Sequence, residues 1–301
     1  MHLLNRLVVA SLPAVPRPVV RHFASRYIAG DSLDQALRCV RRLNAEEQVM
    51  ATMDVLGEDI TSRQEAESAR RDSEEVLHAI ARENLDSNLS IKLTSLGLKL
   101  EQGFCRENLR QILRVAAGHG NFVRIDMEDS SCTSDTIEIF HSLQPDHANC
   151  GIVLQAYLRR TEADVRELVK TRANVRLCKG IYKEPEEIAF QGRAEVQQNF
   201  LMLLRMLFEH ECYVGIATHD SVLVDGASTM IRELGLERTA YEFQMLLGVR
   251  PELRRALVRE GHRVRLYVPF GEHWYAYSLR RFKENPEVAG YVVRALLRPN
   301  V

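Results

Sequence analysis

From residue 49 onward, the sequence repeats one unit, an apolar run followed by a stretch with amphipathic helical spacing. Short apolar runs of this kind are typical of buried strands, and strands that alternate with helices predict a parallel sheet. Eight strand–helix units predict an α/β fold in which the strands close into a (β/α)8 TIM barrel. The apolar runs are Val49–Leu56, Leu89–Thr94, Phe122–Met127, Gly151–Tyr157, Val175–Cys178, Tyr213–Thr218, Tyr241–Leu247 and Val264–Val268.

The helical stretches complete the pattern and lead to a final helix predicted from about His273 to Glu284, which Asn285-Pro286 ends. A doubly wound sheet with a smaller helical domain is the competing architecture, but no GxGxxG fingerprint follows any early strand. The helical stretches are Glu65–Glu83, Arg106–Ala117, Thr136–Leu143, Glu162–Lys170, Glu186–Glu209, Val222–Leu234, Pro251–Arg259 and, after the final catalytic helix, Glu287–Leu297.

Residues 1–45 are predicted to form an N-terminal helical arm, and residues 46–301 to form the barrel. The first thirty residues carry four arginines and no acid before Asp31, which is also a pattern of transit peptides and of basic membrane-surface segments. We favour the arm, because the segment continues without a linker into the helical spacing of residues 19–45.

Composition excludes several classes of function. A formal net charge of -1 gives no electrostatic reason to expect a nucleic-acid partner. The six cysteines form no CxxC pair, which predicts free thiols in a reducing, cytoplasmic compartment. No apolar run approaches the roughly 20 residues that span a bilayer, so we expect at most peripheral contact with the inner face of a membrane.

Polar side chains gather at the predicted carboxyl ends of the strands, where barrels of this kind carry their active sites. Lys92 alternates with Ile91 and Leu93 and is therefore predicted to point into the barrel. Asp126 and Arg176 are candidates for an ion pair, since buried charges need partners. We expect Glu128 and Asp129 in a solvated loop, His219 as a loop histidine, and Glu242 and Gln244 in the barrel interior.

The final helix carries a second polar group. Tyr277, Arg280, Arg281 and Glu284 follow i, i+3, i+4, i+7 spacing and so share one helix face. Paired arginines can bind a carboxylate by charge-assisted hydrogen bonds, and the acid can lie near an amine. This face is therefore a candidate site for a small zwitterion.

Six segments in unbroken order resemble the proline dehydrogenase family, and the match is close to its monofunctional bacterial form. The segments are FVRIDMED (122–129), GIVLQAYL (151–158), VRLCKGIY (175–182), IATHD (216–220), YEFQMLLGVR (241–250) and residues 265–286. The resemblance implies a distorted (β/α)8 barrel that binds FAD non-covalently. It also implies oxidation of L-proline to Δ1-pyrroline-5-carboxylate, with electrons passed to a membrane quinone. A pyrroline-5-carboxylate dehydrogenase is then a possible partner.

The resemblance also implies roles for individual residues. Lys92, Arg280 and Arg281 would bind the substrate carboxylate, and Glu284 would complete the substrate network. Asp126 would be an active-site acid, and Arg176 would lie beside the reactive nitrogen of the flavin. Tyr182, Tyr267 and Tyr277 would form the wall around the proline ring. The residues implied to contact FAD are Met127, Gln155, Lys179, Gly180, Ile181, Thr218 and His219.

Three alternatives stay open at the level of sequence. Methylenetetrahydrofolate reductase has a related flavin barrel but does not need the paired arginines of the final helix. A metal-dependent barrel lyase or hydrolase would use Asp126, Glu128, His219 and Asp220 as ligands. A non-catalytic binding module is the third.

The chain also departs from the usual pattern of the proline dehydrogenase family at Cys178, at Ile181 and at the Glu272-His273 pair.

Overall fold

The computed structural model describes residues 20–21, 24–57, 60–275 and 277–279. Within them, eight strands alternate with helices, and helical residues also precede the first strand. The strands are β1 (Met50–Val55), β2 (Ser87–Ile91), β3 (Val123–Ile125), β4 (Cys150–Gln155), β5 (Val175–Cys178), β6 (Val214–Ala217), β7 (Tyr241–Leu246) and β8 (Val264–Phe270). The helices are α1 (Leu33–Glu47), α2 (Arg63–Arg82), α3 (Gln102–Gly118), α4 (Ser130–Leu143), α5 (Thr161–Leu168), α6 (Arg193–Glu209), α7 (Ser221–Glu233) and α8 (Pro251–Arg259), with short 3₁₀ turns at Thr94–Leu96 and Val169–Thr171.

The strands close into a parallel barrel in sequence order, and β8 pairs with β1. This confirms the predicted (β/α)8 architecture. Apolar side chains of the strands and of the surrounding helices form one continuous core, as Leu89, Leu109 and Phe200 illustrate. Because the strands are parallel and covered by helices, nearly every strand residue is buried, which explains the long apolar runs of the sequence.

The last strand extends further than predicted. The sequence placed its end at Val268 because a proline follows, but β8 continues through Pro269 to Phe270. Proline has no N–H to donate, yet its carbonyl accepts a hydrogen bond from Ala29 N at 2.9 Å. The carbonyl of Phe270 likewise accepts from Leu56 N at 2.8 Å. The strand continues because carbonyl acceptors are sufficient at its end.

Helix α6 begins later than predicted, at Arg193 instead of Glu186. The intervening residues form a loop that pairs by an isolated bridge between Leu158 and Ala189. Glu195 then ends this loop by accepting a hydrogen bond from Gly192 N at 3.1 Å, in the manner of a capping box. This loop follows β5 and lies next to the carboxyl ends of the strands.

The described part of the N-terminal arm packs on the barrel. Helix α1 contributes Leu37, Val40 and Leu43 to the main core, as its apolar spacing predicted. The helix begins only at Leu33, because Gly30 adopts a φ of +135°, which a helix cannot include. Residues 1–19 lie outside the described residues.

Candidate active site

A cavity of about 830 Å³ opens at the carboxyl ends of the strands. Its position agrees with the general location of active sites in such barrels. All predicted site residues within the described part of the chain line this cavity. They are Lys92, Asp126, Met127, Gln155, Arg176, Lys179, Gly180, Ile181, Tyr182, Thr218, His219, Tyr267 and Tyr277. Arg280, Arg281 and Glu284 lie outside the described residues.

Lys92 enters the cavity directly after β2 and is 8% exposed. Its Nζ lies 3.0 Å from both carboxylate oxygens of Asp54 on β1. Burial raises the pKa of Asp54, and the Lys92 charge opposes that rise. An ammonium group held in this way beside a cavity is suited to binding a carboxylate.

Asp126 follows β3 and collects three hydrogen bonds. Its Oδ1 accepts from Arg176 NH1 at 2.6 Å and from Ser90 Oγ at 2.7 Å. Its Oδ2 accepts from Tyr267 OH at 2.8 Å. The predicted ion pair between Asp126 and Arg176 is therefore confirmed, and it joins β3 to β5 across the barrel interior.

Tyr267 connects this pair to the last strand. Its ring lies 5.4 Å from the Arg176 guanidinium carbon, a cation–π distance. Burial raises the pKa of Tyr267, and the negative charges of Asp126 and Asp54 raise it further. The phenol therefore stays protonated at neutral pH and remains a hydrogen-bond donor to Asp126.

Glu242 and Gln244 point into the barrel interior, as predicted. They are two residues apart on β7 and are therefore on one face of the strand. Both are buried, and Gln244 also lines the cavity. Gln244 accepts a hydrogen bond from Arg176, and Glu242 accepts hydrogen bonds from Gln244 and from Arg265.

The prediction of a solvated loop is wrong for Glu128. This residue is 9% exposed, and its carboxylate accepts hydrogen bonds from Thr94 N at 3.1 Å and Thr94 Oγ1 at 2.5 Å. The first 3₁₀ turn after β2 brings Thr94 to it. Asp129 has a structural task as well, since its side chain caps α4 by accepting from Ser131 N at 3.0 Å.

On the β6 side of the cavity, cations surround the N-terminus of α7. Asp220 caps this helix through Val222 N, and its Oδ2 accepts from Gln197, Arg193 and Lys179 at 2.9, 3.1 and 3.4 Å. Burial works against ionisation of Asp220, but these three partners prevail and lower its pKa. Phosphate groups favour such a combination of helix N-terminus and cationic side chains.

His219 lies beside this helix terminus as a loop histidine. Its Nε2 accepts a hydrogen bond from Leu246 N at 2.9 Å, which identifies Nε2 as the unprotonated ring nitrogen. Arg250 NH1 donates to the His219 carbonyl at 2.8 Å and to Ser221 Oγ at 2.9 Å. The loops after β6 and β7 are thereby held together at the rim of the cavity.

Sequence reasoning missed four residues at this site: Asp54, Arg193, Arg250 and Tyr27. Asp54 had a signal, because it is a lone carboxylate inside the apolar run Val49–Leu56. Arg193 and Arg250 stand in helix-start positions among many other surface arginines, and nothing local distinguishes them. Tyr27 reaches the cavity only because the arm folds back over the barrel.

The comparisons with known proteins agree with this geometry. The family model described as proline dehydrogenase matches residues 36–294. The chain belongs to the proline dehydrogenase family.

Curated members of the proline dehydrogenase family match almost the whole chain. Proline dehydrogenase 1 of Bacillus subtilis is 37% identical over 275 residues, which are 91% of this chain and 91% of that protein. Proline dehydrogenase of Deinococcus radiodurans is 35% identical over 300 residues, or 97% of this chain and 96% of that protein. The chain is therefore an enzyme, an oxidoreductase of the proline dehydrogenase class.

Solved structures place the fold in the same family. Proline utilization A from Bdellovibrio bacteriovorus, in a form inactivated by N-propargylglycine, superposes with a TM-score of 0.83 at 27% identity and covers 88% of this chain. Proline utilization A from Corynebacterium freiburgense superposes with a TM-score of 0.78 at 23% identity, covers 98% of this chain and supports the fold alone. The chain spans 33% and 35% of these two proteins.

Membership of the proline dehydrogenase family replaces the alternatives drawn from the sequence. The methylenetetrahydrofolate reductase and binding-module interpretations do not agree with the matched family. The four ligands of the metal-enzyme alternative have separate partners in the structure, and Glu128 bonds to Thr94 while Asp220 bonds to cations. In the described residues, no group of three or more His, Cys, Asp or Glu side chains is arranged to hold a metal ion.

Two further predictions concern the chain as a whole. All six cysteines are free thiols, as predicted. Among the described helices, none combines the length and the apolar character needed to cross a membrane.

Proposed function

We propose that the chain oxidises L-proline to Δ1-pyrroline-5-carboxylate with FAD as its cofactor and passes the electrons to a quinone. The observation that carries this proposal is the cavity in which Lys92 and the Asp126–Arg176–Tyr267 network lie together. Lys92 provides a cation for a small carboxylate, and Arg176 provides a guanidinium for a group that becomes negative during the reaction. The membership of the chain in the proline dehydrogenase family supports the same substrate.

The residues of the cavity fit FAD. Gln155 Oε1 is buried and makes no hydrogen bond within the described part of the chain, so it offers an acceptor to an N–H group of a flavin ring. Gly180 lines the cavity with a φ of +104°, and a Cβ there would overlap the Tyr157 ring, so glycine allows this stretch of the cavity wall to pack against Tyr157. Lys179, Arg193 and Arg250 at the N-terminus of α7 suit a pyrophosphate.

We assign the other FAD contacts to residues of the same rim. Met127, Thr218, His219 and Ile181 line the cavity between the β3 and β6 ends. FAD, if bound here, would supply the hydride acceptor, so no side chain would have to act as the oxidant. The task of the protein is then to position the substrate and to place charge.

Position comes from the carboxylate site. We assign the substrate carboxylate to Lys92 and, from the sequence alone, to Arg280 and Arg281, and we assign the amine to Glu284. Fixing the carboxylate at one end directs the ring carbon toward the cofactor face. Tyr182, Tyr267 and Tyr277 form the wall that excludes water from the ring.

Charge comes from Arg176. Its guanidinium is already oriented by Asp126 and is 6% exposed, so it stabilises negative charge that develops on the cofactor without reorganisation. Asp126 is therefore the acidic residue of the active site, and it fixes Arg176 and Tyr267 by accepting a hydrogen bond from each.

The test is direct. The purified protein should show a flavin spectrum, and anaerobic L-proline should bleach it, whereas D-proline should bleach it far more slowly. Lys92→Met should retain the flavin and need more L-proline for the same rate. A colourless protein that takes up no added FAD, or a flavin that L-proline leaves oxidised, contradicts the proposal.

The electron acceptor has its own test. The basic residues of the N-terminal arm suit the anionic surface of a membrane that contains quinone. Deleting residues 2–18 should leave activity with a soluble dye and reduce activity with quinone-bearing vesicles. Equal losses with both acceptors would assign the segment a structural role instead. A pyrroline-5-carboxylate dehydrogenase is the expected partner, because it consumes the product.

A further inference from the structure

A row of polar side chains, all buried except the partly exposed Asp126, extends from the cavity to the opposite end of the barrel. We call it the interior polar row, and it consists of Asp126, Arg176, Gln244, Glu242 and Arg265. Arg176 NH1 donates to Asp126 at 2.6 Å, and Arg176 Nε donates to Gln244 Oε1. Gln244 Nε2 donates to Glu242 Oε1 at 2.5 Å, and Arg265 Nε donates to the same oxygen at 2.7 Å.

Gln244 is the link between the two ion pairs of this row. Arginine can only donate hydrogen bonds, and an ionised carboxylate can only accept them. The amide of Gln244 is therefore fixed with its oxygen toward Arg176 and its nitrogen toward Glu242. Reversing the amide would break both bonds, so its orientation is set by Glu242.

Glu242 is suited to set that orientation. Burial acts to raise its pKa, but Arg265 and hydrogen bonds from Arg265, Tyr213 and Gln244 outweigh burial and lower the pKa to about 2. Glu242 is therefore ionised at neutral pH, and it remains an acceptor for the Gln244 amide.

The barrel also provides the space that Gln244 needs. Gly215 on β6 pairs in register with Arg176 on one side and with Glu242 on the other. A Cβ at Gly215 would overlap Gln244 Nε2. Glycine at this position thus leaves the gap through which the amide bridges β7 and β5.

We propose that Gln244 is a positioning residue for the redox step, which, backed by Glu242, holds the Arg176 guanidinium in the orientation that serves the flavin. This inference rests on the proposed function. Asp126 and Gln244 accept from different edges of the guanidinium, so they fix its plane as well as its place. Within the described residues, NH2 of Arg176 makes no hydrogen bond and is left for the contents of the cavity.

The test compares Gln244→Met with Tyr213→Phe in the FAD-loaded enzyme. Methionine keeps the length of the side chain and removes both bonds. Tyr213→Phe is the matched control, because Tyr213 OH donates to Glu242 Oε2 at 2.7 Å and does not touch Arg176. Gln244→Met should lower kcat about 10- to 100-fold, the range of one hydrogen bond to a charged group. It should also lower the midpoint potential of the bound flavin, and Tyr213→Phe should change neither.

Two further measurements separate positioning from packing. The Kd of cyclopentanecarboxylate should stay within about threefold of wild type in Gln244→Met, because the carboxylate site lies at Lys92. In an Arg176→Met background, Gln244→Met should lower kcat little further, because the residue acts through Arg176. Gly215→Ala should displace the Gln244 amide without removing it, and it should therefore also lower kcat.

Wild-type reduction by L-proline tests the proposed function, whereas the contrast between variants tests this inference. The inference is overturned if Gln244→Met and Tyr213→Phe lower the Tm alike while kcat and the flavin potential stay at wild-type values. It is also overturned if the losses from Gln244→Met and Arg176→Met simply multiply.

Discussion

The ammonium of Lys92 is 3.0 Å from each carboxylate oxygen of Asp54, and this buried pair joins the first two strands of the barrel beside the cavity. Lys92 lines the cavity, whereas Asp54 is 1% exposed and lies behind it. The pair means that the cation proposed for the substrate carboxylate already has a negative partner. A ligand carboxylate must therefore share Lys92 with Asp54.

Asp54→Asn should destabilise the protein and increase the stabilising effect of a ligand. Removing one partner of a buried ion pair costs about 3 kcal/mol, because the other charge is left uncompensated. A bound carboxylate can replace that partner, so cyclopentanecarboxylate should raise the Tm of Asp54→Asn more than that of wild type. Lys92→Met is the control and should respond least. An unchanged free energy of unfolding in Asp54→Asn would mean that Asp54 is protonated in the folded state.

Gly180→Ala should reduce the amount of FAD that the protein binds. The residue has a φ of +104°, and its Cβ would overlap the Tyr157 ring, so the loop after β5 must move. Gly235→Ala is a matched control, since Gly235 has a φ of +60° with no atom within 4 Å of the added Cβ. The control variant should lose only about 1–2 kcal/mol of folding stability, because alanine is strained in the left-handed conformation. Flavin absorbance per protein and Tm measure the two effects, and equal FAD content in both variants would contradict the assignment.

The stabilisation by Glu242 should disappear in acid. Its folded pKa is about 2, below the roughly 4.3 of an unfolded glutamate. A depressed carboxyl pKa stabilises the fold above the unfolded pKa, and the contribution is lost as the pH falls through the folded pKa. The shift corresponds to about 3 kcal/mol. Denaturant unfolding of wild type and Glu242→Gln should differ by a constant amount above about pH 5 and by less at each lower pH. Parallel curves would exclude this role.

Arg281→Met should weaken proline binding without affecting FAD. If Arg281 shares the substrate carboxylate with Arg280 and Lys92, losing one charge-assisted bond should raise the KM for proline roughly 10- to 100-fold. Arg281→Lys should recover part of the loss, because lysine is a point charge without the bidentate fork of arginine. Proline methyl ester, which lacks the carboxylate, should be affected little. A wild-type KM in Arg281→Met would place this arginine outside the substrate site.

The sequence by itself determined the order and type of the secondary structure. Each strand is a short apolar run and each helix has its own apolar face, and both patterns are local properties of the chain. The eight units, the parallel barrel and the polar residues at the strand ends therefore followed from the sequence. Lys92, Asp126 and Arg176 stood out because they are charges within segments built for burial.

Tertiary structure alone decided which charges meet. Asp54 and Lys92 are 38 residues apart, and Arg176 and Gln244 are 68 residues apart. Their pairing depends on the register of neighbouring strands and on closure of the barrel, which no local pattern encodes. The same holds for Glu128, whose place next to a strand end suggested solvent until the turn at Thr94 covered it. Buried polar groups need hydrogen-bond partners, and in this barrel many of those partners come from residues that are distant in the sequence.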